Sequence, residues 1–319
     1  MMCLRVDNRL KVHPLALSPS VHRVNQSKTG VSIGYRALTS ACSIINSARC
    51  FYFSQRNLCR YFKMIFTHSC NQPTIQLPNS ALSGVNLIPG SDYKGYSMYE
   101  ARIDAAQTVP LTSPEDKACV HYYYFITGSG KCEREGGKEG YDVGPDHVVA
   151  LSSNITHTLK VSAEGAMRVL VVYYPDVTVA YKSLELVKSL SDLVGTERDI
   201  SFGNGNSRRF TVKKDGFPLT ITNTRVMAST SSKQEYKNQI EAAYYIAGTM
   251  TYHWQDGDGG WTGEQTKVDK KNGTNYFMNM HDKHEMVASD NDCFCICVFN
   301  PALTGNEIHN YGKDGFSSY

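Results

Sequence analysis

No stretch of this chain approaches the roughly 18 consecutive apolar residues that cross a bilayer as a helix, which excludes a helical membrane protein. Acidic residues are almost missing from the first 64 positions, where ten Lys or Arg stand against one acid, Asp7, for a local charge of +9. The whole chain carries +3, so the rest carries −6, and the basic total is no sign of a nucleic-acid-binding surface. The same segment lacks the apolar core of a secretory signal. Its Arg36, Arg49, Arg56 and Arg60, set among Ser, Ala, Leu and aromatics, match an organellar transit peptide. A disordered leader, or a start at Met64, reads equally well. The expected location is the cytoplasm, or the mitochondrion if residues 1–63 are a transit peptide.

A disulfide framework is also lacking. Of ten cysteines, Cys3, Cys42, Cys50 and Cys59 fall in the leader and Cys293, Cys295 and Cys297 form a C-x-C-x-C run. Only Cys70, Cys119 and Cys132 remain. Between Phe294, Ile296 and Val298 the run reads as a strand with three thiols on one face. Small buried hydrophobes and a metal-thiolate cluster are both open to it.

What is present is a chain of 319 residues, long enough for two domains, with 41% apolar and 20% charged residues, the balance of an ordinary globular protein. From about Leu87 onward, short alternating runs are separated by Gly, Pro, Asn and Asp, which predicts an all-β barrel or sandwich. Residues 179–194 are the exception. Ala180, Leu184, Val187, Leu190 and Val194 recur at helical spacing, predicting a short helix between two halves.

The halves are related. Val120-His-Tyr-Tyr-Tyr-Phe-Ile-Thr-Gly128 aligns with Ile240-Glu-Ala-Ala-Tyr-Tyr-Ile-Ala-Gly248, and 148–159, with His157, aligns with 275–286, with His284. The offset grows from 120 in the first alignment to 127 in the second, which fits a Gly-rich insertion at 256–263, of the kind a hairpin tip tolerates. Strand, Gly turn and a His-bearing strand form the pattern of the cupin superfamily, a small jelly-roll barrel. The expected fold is therefore all-β, with two tandem cupin barrels joined by a short helix behind a disordered leader. The boundaries are 1–63 for the leader, 64–175 for a degenerate first cupin, 176–186 for the linker and 187–319 for the second cupin.

Residues 187–319 resemble the ectoine synthase family. The resemblance is carried by Ser189-Leu190, Val194-Gly-Thr-Glu-Arg-Asp-Ile200, Ser207-Arg-Arg209, Asp215-Gly216, Tyr236-Lys-Asn238, Glu241-Ala242 and Cys297-Val-Phe-Asn-Pro-Ala-Leu-Thr-Gly-Asn-Glu-Ile-His309. It implies an enzyme, a hydro-lyase that closes N-γ-acetyl-L-2,4-diaminobutyrate into the compatible solute ectoine with loss of water. It also implies metal ligation by Glu241, Tyr276 and His284. Carboxylate, phenolate and imidazole suit Fe(II) best, with Zn(II) or Mn(II) as alternatives. Glu307 and His309 become the acid-base pair, with Glu307 favoured as base and substrate contact. Arg209, Thr224, Tyr236, Cys297 and Phe299 become the remaining substrate contacts, Arg209 through the substrate carboxylate. The implied partners are a small amino-acid-derived substrate and a second subunit, a contact that two tandem barrels can reproduce in one chain. No nucleic acid and no membrane is expected.

Three positions depart from the family pattern. Gly205 replaces a pocket Trp, Gln239 a His, and Thr222-Asn223 a His-Asp or His-Glu pair. The first half keeps His157 and has His121 where the second has Glu241, but Val149 replaces the Tyr276 equivalent, leaving two ligands where three are wanted. A cupin iron dioxygenase, whose sites gather three histidines, and a non-catalytic ligand-binding or storage bicupin are the alternative readings.

Overall fold

A computed structural model describes residues 64–319 apart from 80, 90–92, 94, 115–117, 176–181, 256–265, 270–272 and 319, with backbone alone for 266–269. The leader and the Gly-rich insertion lie outside the described residues.

Each half is built on a seven-stranded sheet. The first runs Glu185–Ser189, His147–Ser152, Val120–Thr127, Met167–Tyr174, Ser97–Ile103, Ser83–Asn86, Ile75–Gln76. The second runs Ile65–His68, Thr274–Met278, Ile240–Ala247, Cys293–Asn300, Thr220–Val226, Gly205–Arg209, Asp199–Ser201. The repeat seen in the sequence is thus a repeat of topology, since Val120–Thr127 and Ile240–Ala247 hold the same place in their sheets. A smaller sheet backs each large one. It comprises Thr108–Leu111, His157–Val161, Gly130–Arg134 and Tyr141–Val143 in the first half. In the second it comprises Thr266–Asp269, Thr249–Trp254, His284–Ala288, Ser231–Gln234, Ser317–Ser318 and Asn310–Tyr311.

Both faces of each large sheet are buried, which is why its strands read as almost unbroken apolar runs. Side chains alternate between faces with a period of two. Tyr123 and Phe125 therefore enter the first half's interior with Val149, Leu151, Val169 and Val171. Tyr122, Tyr124 and Ile126 point the other way and meet Phe210, Phe217, Ile221, Ala242, Phe277 and Val298 of the second sheet in one shared core. A third core fills the second half's interior with Ala243, Tyr245, Tyr252, Tyr276, Met278, Cys295, Cys297 and Phe299.

The helix expected over 179–194 is not formed where the structure describes it. Residues 182–184 are irregular, Glu185–Ser189 is a strand, and only Leu190–Asp192 makes a 3-10 turn. The helical spacing of Leu184, Val187 and Leu190 is overridden by the open edge of His147–Ser152, whose backbone groups pair with the strand through Leu186↔Ala150 and Val187↔Val149. Leu186 and Val187 then face different cores, as strand neighbours must.

The two halves exchange strands. Glu185–Ser189 adds to the first sheet, whereas Ile65–His68, from the start of the described chain, adds to the second through Thr274–Met278. The second crossing is close. The Ser69 amide donates to the Gly273 carbonyl at 2.7 Å, and a Cβ on Gly273, whose φ is +54°, would lie 2.0 Å from Ser69 Oγ. No helix among the described residues is long and apolar enough to cross a membrane.

Candidate active site

The interior of the second half is polar at one end. Glu241 and Tyr276 project from adjacent strands, Glu241 opposite Met278 and Tyr276 opposite Ala243, so the two lie diagonally on one face. Cys297 and Phe299 follow on the next strand, opposite Ala243 and Glu241, and Thr224 beyond them stands opposite Cys295. These side chains, with Phe202, Ser207, Gln234, Tyr236, Met286 and His309, wall a narrow pocket. His284 enters from the facing sheet. Its ring centroid is 6.3 Å from that of Tyr276 and 5.9 Å from that of Tyr236, and it stacks on Tyr252 at 5.6 Å.

Glu241 is 2% exposed and His284 is fully buried. Among the described residues, Glu241 Oε2 and His284 Nε2 both lack a hydrogen-bond partner. Each such atom costs about 1–3 kcal/mol, so two beside one pocket call for an external partner. The tautomer of His284 is fixed. Its Nδ1–H donates to the Asp282 carbonyl at 2.9 Å, so Nε2 carries the lone pair. Burial lowers this imidazole to about 4 and keeps it neutral at pH 7. Burial also pushes the Glu241 carboxyl and the Tyr276 phenol well above their ordinary values. The Tyr276 hydroxyl lies 3.6 Å from the Met286 sulfur and shares hydrogen bonds with the Tyr245 and Tyr252 hydroxyls. A carboxylate oxygen, a phenol oxygen and an imidazole nitrogen, two of them unpartnered, fit a divalent transition metal.

The expected substrate contacts divide. Thr224, Tyr236, Cys297 and Phe299 line the pocket. Thr224 Oγ1 lies 2.9 Å from Thr222 Oγ1 and accepts from the Cys297 thiol at 3.5 Å, while Tyr236 donates to Gln234 Oε1. Burial pushes the Cys297 thiol well up, so it is a neutral wall group. Arg209 is fully buried but is not part of this wall. Its Nη2 donates to the Glu307 carbonyl at 2.7 Å, its Nη1 lies 3.5 Å from Glu307 Oε2, and its Nε has no partner among the described residues.

The two residues expected to move protons also divide. His309 reaches the pocket wall, with its ring 4.6 Å from Phe202 and Nδ1 2.7 Å from Ser317 Oγ. Burial, then the charge of Arg209, lowers it to about 4. Glu307 spends both carboxylate oxygens on its own loop, accepting from the Thr304 amide at 2.6 Å and the Gly305 amide at 2.9 Å. Burial would raise its carboxyl, but these amides outweigh it and hold Glu307 below its ordinary value.

Several wall residues escaped the sequence reading. Ser207 follows from strand alternation, two residues before Arg209, and Gln234 from the hydroxyl it binds. Phe202 had no signal of its own, yet it explains Gly205. A Cβ on Gly205 would lie 2.1 Å from the Arg225 carbonyl oxygen and 2.5 Å from the Phe202 ring, so the glycine makes room for a different aromatic wall. The Asn223 departure is explained by the shared core, where its Nδ2 donates to the Tyr124 hydroxyl at 2.6 Å and its Oδ1 accepts from Arg208. Nothing in the structure explains Gln239.

The C-x-C-x-C strand places Cys293, Cys295 and Cys297 in the second interior as free thiols. In the first half His157 is engaged on both nitrogens, Nδ1 with the Tyr141 hydroxyl at 2.6 Å and Nε2 3.6 Å from Glu185 Oε1. His121 Nδ1 lies 3.2 Å from the Tyr123 hydroxyl, and Val149 packs in the core. Among the described residues no group of three or more His, Cys, Asp or Glu is placed to hold a metal ion, so none of them assembles the three-histidine set of a dioxygenase.

Paired large and small sheets around a polar interior, with donor atoms at one end, define a cupin-fold enzyme. Solved structures agree on the fold. One titled for the Mn(II) centres of Bacillus subtilis oxalate decarboxylase superposes with a TM-score of 0.54 at 13% identity, over 76% of this chain and 78% of that one. The model of the ectoine synthase family matches residues 185–316. L-ectoine synthase of Desulfosudis oleivorans is 35% identical over 125 residues, which are 39% of this chain and 92% of that protein. L-ectoine synthase of Oceanobacillus iheyensis is 40% identical over 130 residues, 41% of this chain and 94% of that protein. The chain belongs to the ectoine synthase family, and its enzyme class is that of the hydro-lyases.

Proposed function

We propose that the second half catalyses the metal-dependent ring closure of N-γ-acetyl-L-2,4-diaminobutyrate to ectoine. The observation that carries this, beyond family membership, is the pair of buried donors without partners, Glu241 Oε2 and His284 Nε2, beside the Tyr276 phenol. In the reaction the α-amino nitrogen bonds to the acetamide carbonyl carbon, the nitrogen gives up its protons, and the carbonyl oxygen leaves as water, so that a C=N bond closes the ring.

Glu241, Tyr276 and His284 would hold the metal, with Fe(II) the best match to the donor set and Zn(II) or Mn(II) the alternatives. Once bound, it supplies Lewis acidity toward the amide carbonyl, worth several kcal/mol. Everything else falls to the chain. Thr224, Tyr236, Cys297, Phe299 and Phe202 form a narrow wall that holds a flexible substrate folded, with amine and carbonyl in reach of each other. His309, neutral and on that wall, takes the amine proton and returns it to the departing hydroxyl. Glu307 fixes the 304–309 loop that carries His309, and Arg209 grips that loop with Nη2.

The test is to load the full-length chain with Fe(II) anaerobically, add the acetylated diamino acid and look for the cyclised product by mass spectrometry. Product should form, with a single metal equivalent per chain that Glu241→Ala and His284→Ala abolish. A metal-loaded chain that yields no product overturns the reading.

A further inference from the structure

The Tyr276 phenol is confined by packing. Its hydroxyl lies among the Met286 thioether, a weak acceptor, and the hydroxyls of Tyr245 and Tyr252, and on one side its cross-strand neighbour is Ala243, whose methyl cannot hold a ring. On the other side its direct cross-strand partner is Phe66, on a strand that enters from the far end of the chain. Residues directly opposite in an antiparallel pair present their side chains on the same face, close enough to touch. Phe66 therefore reaches the second interior, with its ring centroid 6.1 Å from Tyr276, 5.1 Å from Trp254 and 5.9 Å from Tyr252. Tyr252 in turn lies 4.1 Å from Tyr276 and stacks on His284. Met64, two residues earlier, is buried in the same core. Phe66 and Met64 both lie well before residues 185–316, where the family model matches.

We propose that Phe66 is a positioning residue for the metal centre. From outside the family segment, the strand Ile65–His68 closes the aromatic cluster on Tyr276 and holds its oxygen at the approach the metal requires. The proposal rests on the Glu241, Tyr276 and His284 reading of the site. Its physical basis is packing: a ring wedged between neighbours presents its oxygen in one place, so a ring free to rock binds metal more weakly. The neighbouring Ile65 supplies the control. It sits on the opposite face of the same strand, against the core shared by the two sheets.

The experiment uses the full-length chain as wild type, Phe66→Ala, Phe66→Leu and Ile65→Ala. Anaerobic Fe(II) affinity is measured by competition with a coloured chelator, and the visible phenolate-to-iron band is recorded after oxidation to Fe(III). Phe66→Ala should weaken metal binding about 10- to 100-fold, the usual effect of losing a group that orients a ligand, and should shift or broaden the band. Phe66→Leu, which keeps most of the volume, should show the band change with roughly threefold weaker binding, and it carries the test alone if the alanine variant does not fold. Ile65→Ala should lower the melting temperature and leave both metal readouts unchanged. Wild-type affinity and band in the Phe66 variants, or an equal loss in Ile65→Ala, overturns the proposal while the metal reading stands. A wild-type chain that takes up no metal overturns both.

Discussion

Phe202 and Gly205 show how one departure from a family pattern becomes intelligible only in three dimensions. The glycine removes a side chain from the wall, and the ring of Phe202 takes up that space against His309. Replacing Phe202 by Leu keeps a buried apolar wall but removes the flat face that shapes the pocket. The expected outcome is a KM for the acetylated diamino acid raised roughly three- to tenfold, or about 0.7–1.4 kcal/mol, with kcat changed less than twofold. An unchanged KM would remove Phe202 from the substrate wall. His121 supplies a prediction of another kind. Burial lowers its imidazole to about 3, against an ordinary value near 6.5, so the unfolded chain binds the extra proton between those values. Its contribution to stability is complete above pH 6.5 and is lost as pH falls toward 3. From pH 7.5 to pH 5 the loss is about 2 kcal/mol, to be read as the difference in pH dependence of unfolding free energy between wild type and His121→Phe.

At the scale of the element, the strands were legible as short runs bounded by Gly, Pro, Asn and Asp, and in the large sheets, buried on both faces, those runs are almost unbrokenly apolar, which is how 120–127 and 240–247 were found to correspond. Most of the pocket was legible too. Glu241, Tyr276, Cys297 and Phe299 sit on regular strands whose faces follow from alternation, and the structure gathers them with Thr224, Tyr236 and His309 around one pocket. Elements whose fate depends on distant partners were not legible. Residues 184–190 carry a helical spacing of Leu and Val, but the free edge of His147–Ser152 decides their conformation, and no local pattern reports a free edge 35 residues away. The pairing of Ile65–His68 with Thr274–Met278 is hidden in the same way, since register between segments some 200 residues apart leaves no trace in either one alone. What the Glu307 carboxylate binds was not legible for a related reason. The amides of Thr304 and Gly305 are local, but the loop that turns the carboxylate onto them is held by Arg209.

On the scale of the whole molecule, the shared core makes the two halves mutually dependent. Each large sheet spends one face on its own interior and the other on its neighbour, so separating the halves would expose Tyr122, Tyr124, Leu170 and Val172 on one side and Phe210, Leu219, Phe277 and Val298 on the other. The exchanged strands add to this, because Ile65–His68 and Glu185–Ser189 each complete a sheet of the opposite half. Polar groups are matched across the same boundary, where Asn223 meets Tyr124 and Asp146, and Tyr244 meets Glu100 and Arg168. A fully buried Leu or Phe contributes about 1.5–3 kcal/mol, so losing several of them at once exceeds the 5–15 kcal/mol that a domain has to spare. Neither half is then expected to survive the unfolding of the other. Thermal unfolding of the full-length chain, followed by calorimetry and by far-ultraviolet circular dichroism, should give one transition with matching calorimetric and van't Hoff enthalpies. A charge at the boundary should lower it as a whole: Leu170→Asp, in the first half and far in sequence from the metal ligands, should cost the second half its metal and its fold together. Two resolved transitions in wild type, or a Leu170→Asp chain that unfolds its first half while retaining bound metal, would show instead that the halves stand alone.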